Sequence, residues 1–193
     1  MTQRTVSMSL YTRTQNTRHS TIIEFRREQT RNHTMEPIQS EPRIYADDPF
    51  RARFGHQLPR GLREEARGME WRTFTNTYAP TGNLRISNLE SEARRGGMFH
   101  FNATLINNCQ GERTTTDAHI MATGPVSACT NLLADAGRRV EILEFHQFDI
   151  FEATVTFIYT CNNVSRTWAM GFGGTPEQSA ASAMSSAAHL LYG

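Results

Sequence analysis

At 193 residues, with 38% hydrophobic content and a mean hydropathy of −0.53, the chain has room for one ordinary domain, and part of it falls short of a packed protein's apolar share. The net charge of +1 conceals an asymmetry, with 13 arginines against 9 acids over residues 1–72 and 4 against 8 over residues 98–193. All twenty basic residues are arginine, but they are interspersed with glutamate and concentrated where order is least expected, which argues against a nucleic-acid surface.

No stretch reaches the roughly 18 apolar residues of a membrane span. The first twenty residues lack the apolar core of a signal peptide. Cys109, Cys129 and Cys161 form no CxxC pair, and an odd number without a secretory signal predicts reduced thiols. These features predict a soluble, cytoplasmic protein with no metal site, no cofactor, no membrane and no nucleic acid as partner.

Residues 1–45 are rich in Thr, Arg, Gln and Asn around one short apolar run, Ile22–Phe25. That run buries too little surface to offset the entropy of ordering, so the segment is predicted to be disordered, with Met35 as a second candidate start. Residues 46–82 form a small helical subdomain in this reading. Asp48-Pro49-Phe50 starts a short element, Pro59 precedes a helix over Arg63–Phe74, and Asn76–Gly82 breaks it.

From residue 83 the pattern becomes regular. Leu84–Asn88 reads as a short strand, and Phe99–Leu105 alternates apolar and polar residues as a half-buried strand does. Asn107–Gly111 is a hairpin loop, and Arg113–Met121 returns as a Thr-rich strand. A helix over Val126–Ala136 presents Cys129, Leu132 and Leu133 on one face, with Gly137 ending it. A second pass follows, with strands at Arg139–Phe148, Ala153–Cys161 and Arg166–Met170. A last helix starts with Thr175 as N-cap, Pro176 at its first position and Gln178 completing a capping box. Two tandem βββα units, each sheet offering a face to its own helix, predict an α+β fold. The small residues of the last helix leave a surface that a second copy can cover, so a homodimer is expected.

Several segments carry a family resemblance. Phe54–Glu65 (FGHQLPRGLREE) resembles the linker subdomain of 2-isopropylmalate synthase, which reads YG-x-x-LPR-x-LQ-x-E. Phe74–Leu84 resembles the lead into that family's regulatory domain. Thr123–Val126 is similar to its GNGP turn, Ile142–His146 in part to VLDYYEH, and Trp168–Phe172 with Ala180–Leu191 to WGVGI and the helix after it. The resemblance covers about 140 residues in order. It implies a linker subdomain plus a leucine-sensing, dimerising regulatory domain. The family's catalytic (β/α)₈ barrel, of roughly 250 residues, and its metal-binding His-x-His have no counterpart in these 193 residues.

Carried over by motif, the resemblance implies ligand-binding roles for Gly124, Pro125, Val126, Ser127, Ile142, Phe145, Asp149, Ala153 and Phe172. A helix N-terminus suits an α-carboxylate, and Val126, Ile142 and Phe172 are candidates for an apolar lining. Two departures bear on the ligand: Ala122-Thr123-Gly124 stands where the family has Gly-Asn-Gly, and Phe145-His146-Gln147-Phe148 stands where it has Tyr-x-Glu-His. The resemblance thus points to a non-catalytic binder of leucine or a related amino or oxo acid, acting as a homodimer or in trans on a barrel-bearing synthase. The alternative is an effector pocket recruited as an active site for a cyclase or isomerase, with Glu144, His146 and Asp149 as its acid/base cluster. A purely structural dimerisation module is a third reading.

Overall fold

The computed structural model describes residues 46–109 and 111–193. The reading of residues 1–45 as disordered, and of Met35 as a start, lies outside them. The described chain is α+β: two three-stranded antiparallel sheets and five helices.

Three short helices come first, α1 (Pro49–Phe54), α2 (Arg60–Glu65) and α3 (Trp71–Tyr78). The Asp48 carboxylate ties this region together. It accepts from the backbone N–H groups of Phe50 (3.1 Å) and Arg51 (2.8 Å), capping α1, and from Leu58 N (3.0 Å) ten residues on. The helix expected over Arg63–Phe74 is in fact two. The chain leaves helical geometry after Glu65, and Gly68 takes a φ of +72° that a continuing helix does not allow. Phe50, Leu62, Phe74 and Tyr78 form one core with Phe157, Trp168 and Met170, so these helices cover one face of the second sheet.

The first sheet has the order β1 (Leu84–Ala93), β2 (Phe99–Cys109), β3 (Glu112–Ala122), with a 3₁₀ turn at Arg95–Gly97. Two of these elements exceed the sequence expectation. β1 continues past Asn88 through a bulge between Ser87 and Glu90, and β2 runs through Asn107 to Cys109, which pairs with Glu112. Phe101 and Ala103 face the interior, while His100, Asn102 and Thr104 stand on the opposite face with Asp117 and His119.

Helix α4 (Pro125–Asp135) follows, ended by Gly137 at φ +78° with the Arg138 N–H returning to the Leu133 carbonyl. The second sheet has the order β4 (Glu141–Ile150), β5 (Ala153–Cys161), β6 (Arg166–Gly173), and α5 (Pro176–Tyr192) closes the described chain.

The sheets do not each keep a helix of their own. Helix α5 packs on β6 and β5 and also on β1, whereas α4 packs mainly on α5 and on β3. Small residues make this possible. Ala180, Ala183, Ala187 and Ala188 are fully or almost fully buried. A Cβ on Gly171 or Gly173 would collide with the α5 backbone at Ser182–Ala183 or Gln178–Ser179. The buried helix also satisfies strand groups: Ile86 N donates to Ser185 Oγ (2.9 Å), and Ser186 Oγ donates to the Pro80 carbonyl (3.2 Å). Helix α5 thereby covers β1, an edge strand of its sheet. No helix among the described residues is long and apolar enough to cross a membrane.

Candidate functional site

An open groove of about 760 Å³ lies between the start of α4 and β4, within the size range of small-molecule sites. Six of the nine residues implicated by motif line it: Gly124, Pro125, Val126, Ser127, Ile142 and Phe145. The strand-to-helix turn supplies the polar end. Pro125 has no N–H, and the first helical bond is Ala128 N to Gly124 O (3.0 Å), which leaves the Val126 and Ser127 N–H groups without helical acceptors. Gly124 at the N-cap has no side chain to cap α4, in contrast to α5, where Thr175 Oγ1 accepts from Gln178 N (3.3 Å).

The strand side supplies the apolar wall and an acceptor. Beyond the bulge at Leu143, Phe145 and Gln147 lie opposite Ile158 and Thr156 on the sheet face that meets α5. Gln147 Nε2 donates to Thr156 Oγ1 (2.9 Å) and to the Pro176 carbonyl (3.0 Å). A carbonyl only accepts, so this bond fixes the amide orientation and leaves Oε1 as the group that Gln147 can offer the groove. Behind it, Thr156 and Ser179 are fully buried, their hydroxyls 2.6 Å apart, and Ser179 Oγ donates to Gly171 O (3.2 Å). The buried network holds the amide in place. At the mouth, Arg139 and Glu141 pair at 3.0 Å, so these two charges offset one another.

Gln147, Thr130, Arg139 and Glu141 line the groove without having been singled out in the sequence. Period two gave a signal for Gln147, since Phe145 and Gln147 share a strand face. Arg139 and Glu141 flank Val140, and nothing in their local pattern points to a ligand.

Asp149, Ala153 and Phe172 are not brought to the groove. Asp149 lies near the far end of β4 and accepts from Thr154 Oγ1 (3.1 Å). Ala153 and Phe172 belong to the face of the second sheet covered by α1–α3, where Phe172 lies 6.2 Å from the Phe54 ring, and Phe172 also lines a separate cleft beside β1. The acid/base cluster is divided by the strand pleat. Glu144 and His146 stand on one face, 3.5 Å apart, and Asp149 on the other. Their side chains are 52% and 38% exposed, they do not line the groove, and the His146 ring lies 6.2 Å from Trp168.

Two other reactive groups, Cys129 and Tyr78, are committed to structure. The three cysteines are free thiols, and burial pushes Cys129 up to about 12. Tyr78 is also raised to about 12, by burial and then by the Glu65 carboxylate, to which its hydroxyl donates at 3.4 Å. No group of three or more His, Cys, Asp or Glu side chains able to hold a metal occurs among the described residues. No known family model and no curated protein matches the sequence.

Proposed function

We propose that the protein is a non-catalytic, homodimeric binder of an apolar 2-amino or 2-oxo acid, leucine or a relative of it, related to the regulatory region of 2-isopropylmalate synthase and acting alone or in trans on a barrel-bearing synthase. In this reading β1–β3 with α4, and β4–β6 with α5, are two copies of one βββα unit. The helices α1–α3 correspond to the family's linker subdomain.

The observation that carries the reading is the groove's composition. A helix start with free N–H groups offers donors to a carboxylate, Gln147 Oε1 offers an acceptor to an ammonium group, and Val126, Ile142 and Phe145 receive an apolar side chain. A zwitterion with a hydrocarbon tail uses all three. The dimer is supported by large apolar side chains left exposed: Phe145 (42%), which lines the groove, and Met121 (47%) and Leu143 (46%), close in sequence to lining residues. A second copy seated there would close a groove that is otherwise open to solvent.

Calorimetric titration with leucine, isoleucine, valine and the 2-oxo acid of leucine tests the binding. We expect saturable heat for at least one of them, weakened about tenfold or more in Phe145→Ala, a large-to-small change in an apolar wall. Thr123→Asn restores the asparagine of the resembled turn and is expected to shift the preference toward leucine. Absence of heat for every branched-chain ligand overturns the reading.

A further inference from the structure

A second cavity, of about 510 Å³, is lined by β1, the end of β6, α5 and the segment Ala79–Gly82 that precedes β1. Its chemistry differs from that of the groove. Among the described residues, Arg85 is the only ionisable one lining it, and no carboxylate forms an ion pair with Arg85. Around it stand neutral hydrogen-bonding side chains: Ser87 and Asn88 from β1, Gln178 and Ser182 from α5. The β1 bulge sits in the wall, where two residues, Asn88 and Leu89, oppose the single Ala103 and Asn88 holds a φ of +48°. A bulge of this kind breaks the ladder and re-aims the side chains beside it.

From these observations we propose that this cleft is a second ligand site, for a small oxyanion-bearing molecule, with Arg85 as the charge partner and Asn88, Gln178 and Ser182 as orienting hydrogen-bond groups. A guanidinium is matched in shape to carboxylate and phosphate oxygens, and an unpaired one at the wall of a polar cleft attracts such groups. The plan of the groove recurs here. In the groove, the N-terminal half of α4 faces β4 beside the bulge at Leu143; in the cleft, α5 between Gln178 and Ser186 faces β1 beside the bulge at Asn88. That parallel rests on the tandem-unit reading; the polar cleft and an arginine without a carboxylate partner among the described residues do not.

Amide-resolved NMR titration of the full chain with sodium phosphate and with sodium succinate, each against sodium chloride at matched ionic strength, tests the proposal. We expect saturable shifts of the Ser87, Asn88, Gln178 and Ser182 amides with one or both anions and not with chloride. A response to phosphate alone assigns the site to phosphorylated molecules, and a response to succinate alone to carboxylates. Arg85→Gln is expected to weaken binding about tenfold or more while far-ultraviolet dichroism is unchanged. Asn88→Ala, at an exposed position, provides a second variant and a smaller loss. Leucine titration of Arg85→Gln keeps this test separate from that of the groove, since the two cavities share no residue. The proposal is overturned if neither anion moves these amides, if chloride moves them equally, or if Arg85→Gln binds as the parent does.

Discussion

At the scale of single residues, the fold depends on a few polar groups whose partners are complete. Asp48 is buried and accepts three backbone N–H bonds, so Asp48→Ala removes a helix cap and leaves the Leu58 N–H unpaired. A loss of about 2–3 kcal/mol is expected, read from urea denaturation midpoints. Tyr78 and Cys129 give an alkaline dependence. Both have folded-state values of about 12, above the ordinary 10.0 and 9.0, so the folded state retains protons that the unfolded chain releases. Their contribution is complete below pH 9 and is lost as pH rises from there to about 12. Urea midpoints should therefore fall across this interval, and less so in Tyr78→Phe. Cys109 is exposed, so iodoacetamide at pH 8 should label it at once and Cys129 only after denaturation.

At the scale of elements, the alternation of Ala153–Cys161 and the turn at Asn162-Asn163 were legible because a two-residue period leaves an unambiguous trace. The turn residues Thr123–Ser127 were legible as one side of a groove for the same kind of local reason. The assignment of helices to sheets was not. Periodicity tells which face of α5 is apolar but not which sheet it meets, and α5, small on nearly every side, meets both. Phe172 falls outside the groove because strand parity sends it to the face covered by α1–α3, and parity cannot be resolved until the register is known. The α5–β6 joint should be the least tolerant place in the chain. Gly173→Ala drives a methyl into the α5 backbone and is expected to cost about 3 kcal/mol or more, measured as a fall in thermal midpoint.

At the scale of the whole molecule, the exposed apolar residues Met121, Leu143 and Phe145 set an expectation about assembly. Sedimentation velocity should show a dimer whose dissociation constant rises steeply in the double variant Leu143→Glu, Phe145→Glu. A parent that sediments as a monomer at all concentrations refutes the dimer while leaving the groove's binding chemistry to be tested alone.

The bond from Ile86 to Ser185 joins residues 99 positions apart, and that from Ser186 to Pro80 spans 106. Contacts of such sequence separation form only after long loops have closed, so this part of the structure is entropically slow to assemble. Until α5 arrives, β1 presents unpaired backbone at its edge, and a refolding chain is open to pairing with another. Refolding yield should therefore fall as protein concentration rises. Ser185→Ala tests this order: docking of α5 after the rate-limiting step predicts faster unfolding with the folding rate little changed, and docking within that step predicts slower folding.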